Sequence, residues 1–108
     1  MEEAWRRALR REGRSATRIE KLAALLAEFA GYLEAEYAIG LADAKPLHLE
    51  AFVAAREQAG VRVTEHLAAI ASFYQATRAD LAQVAFETRR DRIPLKSLPL
   101  KDLLGVSP

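Results

Sequence analysis

Few residues in this chain have the types and spacing that chemistry needs. The two histidines, His48 and His66, sit in L-H-L-E and T-E-H-L, with Glu50 and Glu65 close by. A zinc site requires ligands at i and i+4 with further partners, and none is spaced that way. Glu34 and Glu36 fall two apart on a helix, so they face different ways and cannot act as a paired acid and base. The chain contains no cysteine, which excludes disulfides, thiolate catalysis and cysteine-based metal sites. No phosphate loop, dinucleotide fingerprint or serine-nucleophile turn occurs. The expectation is a protein without a catalytic centre, metal or cofactor.

The cations are more informative. Residues 1–21 carry a net +3, residues 22–87 a net −5, and residues 88–108 a net +3. Arg14, Thr17, Arg18 and Lys21 lie at the start of the second expected helix, and Arg62 and Thr64 repeat that arrangement at the fourth. Arg89, Arg90 and Arg92 form a third cluster. Exposed N–H groups at a helix start favour phosphate, and basic side chains beside them add to that attraction. These are the candidate nucleic-acid contacts. The reading requires the two basic ends of the chain to lie on one face of the fold.

The elements that must position them follow a helical period throughout. The first helix spans Glu2–Arg11, with Trp5, Ala8 and Leu9 on one face; its glutamates suit the positive end of the helix dipole and its arginines the negative end. Gly13 breaks it. Ser15 or Thr17 caps the second helix, where Ile19, Leu22, Leu25, Leu26, Phe29 and Leu33 form an i, i+3, i+4, i+7 stripe that fades near Tyr37. Residues 39–45 read as a loop. Pro46 opens a third helix with Leu49, Phe52 and Val53 buried, and Gly60 stops it.

In VTEHLAAIASFYQATR, Thr64 is expected to cap a fourth helix with Leu67, Ile70, Phe73 and Tyr74 as its main stripe. From Leu67 to Thr77 no residue is ionised, so neighbours should surround this helix and make it the central one. Asp80 is expected to cap a fifth helix carrying Leu81, Val84, Ala85, Phe86 and Thr88. Residues 94–108 form a proline-interrupted tail with a short helix at 99–104, capped by Ser97 and closed by Gly105. The fold class is therefore all-α, with a helical domain over residues 1–93 and the tail over 94–108. At 108 residues the chain suits one modest core. It has no apolar run of the roughly 20 residues a bilayer requires and no secretory signal, so no membrane association is expected and the address is cytoplasmic.

Three segments carry a resemblance: SATRIEKLAALLAEFAGYL, PLHLEAFVAAR and HLAAIASFY. Together, over residues 15–78, they resemble the N-terminal core-binding domain of tyrosine recombinases and phage integrases. The resemblance implies a SAM-like bundle of four to five helices that clamps one side of duplex DNA. In that family a separate C-terminal domain carries the tyrosine nucleophile with its arginine and histidine partners, and nothing in these residues corresponds to it. Tyr32, Tyr37 and Tyr74 belong to helical stripes instead. The chain departs from the family at two positions. Ala71 stands where a basic residue usually faces phosphate, and Lys21 stands where a tyrosine is usual. The C-terminal LKDLLGVSP resembles the first half of a helix-hairpin-helix motif, whose turn offers backbone N–H groups to phosphate.

Two readings follow. One is a DNA-binding module using its basic helix ends, with duplex DNA as partner. The other is a protein–protein or homo-oligomerisation adaptor on the same bundle, supported by the acidic middle and by an uncharged Ala68–Ala71–Ser72 side if that side is left uncovered.

Overall fold

The computed structural model describes residues 2–93; the expected tail helix and the helix-hairpin-helix half-motif lie outside them. Every regular element of the described residues is helical: α1 (Glu2–Arg11), α2 (Ala16–Tyr37), a single 3-10 turn (Leu41–Asp43), α3 (Pro46–Gln58), α4 (Thr64–Tyr74) and α5 (Ala79–Arg90). None of these helices is long and apolar enough to cross a membrane.

Local chemistry sets most of the boundaries. Ser15 is the α2 cap: its Oγ accepts the Arg18 backbone N–H at 3.1 Å, while Thr17 lies exposed in the first turn. Gly13 and Gly60, at φ +84° and +79°, turn the chain after α1 and α3 in a conformation that glycine adopts without steric cost. Pro46 is the first residue of α3, and His48 Nδ1 accepts the Lys45 backbone N–H at 2.9 Å. His48 therefore secures a helix start.

Two expected caps are corrected. Thr64 is the first residue of α4, not its cap; Val63 holds the cap position, and no side chain bonds the free N–H groups there. Asp80 sits inside the first turn of α5, where its carboxylate takes two hydrogen bonds from the Arg78 guanidinium, at 3.1 and 3.0 Å. In both cases the short connection brings the preceding residue to the cap position, so the chain enters the helix one or two residues early.

The core is built around α4, as its lack of charge predicts. Every residue from Thr64 to Tyr74 is buried or half-buried, and the helix packs chiefly against α5 and α2. Leu67, Ile70, Phe73 and Tyr74 meet Ile19, Leu22, Leu26, Phe29 and Leu33 from α2, Phe52 from α3 and Leu81 from α5 in one continuous cluster. The α1 helix covers one flank through Trp5, whose indole N–H donates to Ser72 Oγ at 2.9 Å and whose ring meets the Phe73 ring edge-on at 5.6 Å. Phe86 departs from the expected α5 stripe: it is 52% exposed, while Leu81 and Ala85 are buried.

His66 is also buried, at 5% exposure, although Glu65 beside it in the sequence is only half-buried. Its Nε2 lies 3.1 Å from a Glu28 oxygen without hydrogen-bond alignment, and its ring packs on Phe52. It shares one helix face with Ile70 and Phe73, which is the pattern that could have placed it inside.

Candidate functional site

Three distant stretches of sequence meet at one end of the bundle. The start of α2 and the start of α4 are joined by Arg18 and Glu65, whose side chains approach to 3.1 Å. The end of α5 reaches the same place, because Arg89 Nε donates to the Thr64 carbonyl at 3.2 Å. The end of α3 is tied in by Arg92, which grips both Glu57 oxygens at 2.6 and 2.9 Å and donates to the Thr88 carbonyl at 3.0 Å. The planar guanidinium fork suits such two-point contacts better than an ammonium does.

Two open clefts flank this junction. The larger, about 620 Å³, has Arg14, Arg18, Arg89 and Glu12 on its rim. Its floor is small and uncharged: Ala68, Ala71 and Ser72 from α4 with Ala79 and Ala82 from α5, closed on one side by Phe86. The second, about 550 Å³, is lined by Arg62, Val63, Thr64, Arg89, Arg92 and Glu57. Arg89 belongs to both. The first and last basic segments of the chain thus share one cleft.

The remaining candidates distribute unevenly. Lys21 is exposed on α2, and its charge acts on Glu65 together with those of Arg18 and Arg89. Arg90 lies over the Phe86 ring at 5.8 Å, a cation–π contact beside the larger cleft. Thr17 is exposed, and Thr64 contributes its carbonyl to Arg89. The arginines of α1 do not join. Arg6 pairs with Glu2 and Glu20, and Arg7 and Arg10 line a separate hollow with Glu3.

The electrostatics follow from the pairing. Arg18, with smaller contributions from Lys21 and Arg89, holds the Glu65 carboxyl below the usual glutamate range. Arg92 does the same to Glu57. Both carboxylates are more than two-fifths exposed, so solvent screens these pairs and they add little to stability. Such cations can exchange a carboxylate for another anion at little cost to the fold.

The sequence did not reveal the alanine floor as a cleft. Ala71 was legible as a missing basic residue and, with Ala68 and Ser72, as an uncharged side, while the packing of α5 against α4 decides that this side lines a depression. Compared with known proteins, the chain matches no family model, no curated protein and no solved structure.

Proposed function

We propose that this chain is a non-catalytic DNA-binding module that contacts duplex phosphates through the basic end of its helical bundle, in a cytoplasmic setting. One observation carries the reading: Arg14 and Arg18 share a cleft with Arg89, which a second cleft joins to Arg62 and Arg92. The recombinase-like motifs over residues 15–78 support it by likeness. Glu12, Glu57 and Glu65 already partner three of these arginines, so binding exchanges carboxylate for phosphate.

The test is fluorescence anisotropy with duplex DNA at low and moderate salt. With about six phosphate contacts, affinity should fall on the order of a thousandfold across that range. The Arg89→Ala/Arg90→Ala/Arg92→Ala variant should bind about tenfold or more weakly and show a shallower salt dependence. Absence of binding at low salt would sink the reading.

A second reading, a protein-interaction adaptor, is favoured by the floor of the larger cleft. Ala68, Ala71 and Ala82 are half-buried there beside the exposed Phe86 ring, an apolar surface that phosphate does not use.

A further inference from the structure

The two ends of the bundle complement each other. The 22-residue α2, about 33 Å long, carries Arg18 near its start and Glu34 and Glu36 near its end. At the far end of α2 from Arg18, Glu34, Glu36, Asp43 and Glu50 are all exposed, and none has an ion-pair partner among the described residues. Among the described residues the cations of that end are Lys45 and Arg78, and Arg78 is already held by Asp80. At the cleft end Lys21, Arg62 and Arg90 make no ion pair within the described residues, and Arg89 bonds only a carbonyl. Glu87 and Asp91 dilute that charge without cancelling it.

The apolar side chains show the same division. Among the described residues the exposed large hydrophobics are Tyr37 (39%), Leu47 (55%), Val61 (38%) and Phe86 (52%). Tyr37 and Leu47 lie at the acidic end, where Tyr37 packs on His48 with ring centroids 4.5 Å apart. Val61 and Phe86 lie at the basic end. Each end therefore offers apolar anchors within a field of one sign, opposite to the other. The alanine floor beside Phe86 leaves room for a side chain the size of leucine.

We propose that a second copy of this chain docks its acidic end, led by Leu47, into the Arg14–Arg18–Arg89 cleft of the first. The contact joins two different surfaces, so it is head-to-tail: each added copy leaves one end of each kind open, and the assembly grows or closes into a ring. The inference goes beyond DNA binding and narrows the adaptor reading to a particular partner. Opposed charges at the contact make it weaken as salt rises.

Sedimentation velocity from micromolar to millimolar protein tests this. At low salt the weight-average mass should climb through that of a dimer, and moderate salt should return it towards the monomer. Leu47→Glu and Phe86→Glu replace side chains that are more than half exposed, so both variants should keep the wild-type helical circular dichroism. Each alone should remain monomeric. Mixed in equal amounts they should form a one-to-one dimer that grows no further, since only one intact junction can form. A wild type that stays monomeric at low salt would overturn the proposal. So would either variant associating like the wild type, or a mixture that stays monomeric. Anisotropy with duplex DNA on Leu47→Glu separates the two ideas, because DNA binding through the basic end should survive that substitution unchanged.

Discussion

The two ends of the bundle are built by different physics. At the acidic end, side chains reach into the connection between α2 and α3 and close it. The buried Tyr74 hydroxyl donates to the Leu41 carbonyl at 2.6 Å, and Arg78 donates to the Ala42 carbonyl at 3.2 Å. At the basic end the cross-links are ion pairs between partly exposed side chains, Arg18 with Glu65 and Arg92 with Glu57. A buried hydroxyl on a loop carbonyl is costly to remove, because the carbonyl is left unsatisfied. An exposed ion pair is not. One end therefore holds the fold together, while the other holds cations that can change partners.

The largest expected effect lies at the acidic end. Tyr74→Ala should lower unfolding free energy by about 3–5 kcal/mol, measured by denaturant titration, because it opens a cavity beside Leu41 and orphans that carbonyl. A loss under about 1 kcal/mol would show that the loop is held by something else.

Alkali offers a subtler perturbation of the same contact. Burial pushes the Tyr74 phenol up to about 12 from an ordinary 10.0, with the Arg78 charge working in the opposite direction. A group whose pKa is raised by folding contributes stability that is present below its unfolded value and lost as pH rises through the folded one. The wild type should therefore lose on the order of 2 kcal/mol between pH 10 and pH 12 on account of Tyr74. Tyr74→Phe should flatten that part of the stability profile. Equal alkaline losses in the two proteins would contradict the assignment.

The smallest effect belongs to the basic end. Glu57→Gln removes the carboxylate that holds Arg92 and should leave the stability nearly unchanged, since the pair is exposed to solvent. Since Arg92 is then released to a competing anion, duplex affinity at low salt should rise by roughly two- to fivefold, the size of gain expected from freeing one phosphate contact. A large loss of stability here would mean that the basic end is as essential to the fold as the acidic one.

How much of this was legible depends on the distance over which each feature is decided. The α1 boundaries and the stripe from Ile19 to Leu33 follow from residues within a turn or two of one another, and the structure retains them, choosing Ser15 over Thr17 as the α2 cap. The caps expected at Thr64 and Asp80 shift because a cap residue is defined by the backbone entering the helix. At α4 and α5 the short connections place Val63 and Arg78 in that position. His66 was half legible: it shares the apolar face of Ile70 and Phe73, but Glu28 and Phe52, which meet it there, lie on other helices. Arg14, Arg18 and Arg89 were visible as two basic segments, but nothing in their spacing could place them on one cleft.

The helices, their apolar faces and the central place of α4 are written in the sequence alone, because helical periodicity and an absence of charge act over a few residues. Which charges meet was left to tertiary packing. The antiparallel return of α5 along α4 carries Arg89 to the Thr64 carbonyl and leaves Phe86 exposed above a floor of alanines. Packing geometry brings together side chains some seventy residues apart, and charge patterning along the chain contains no term for that distance.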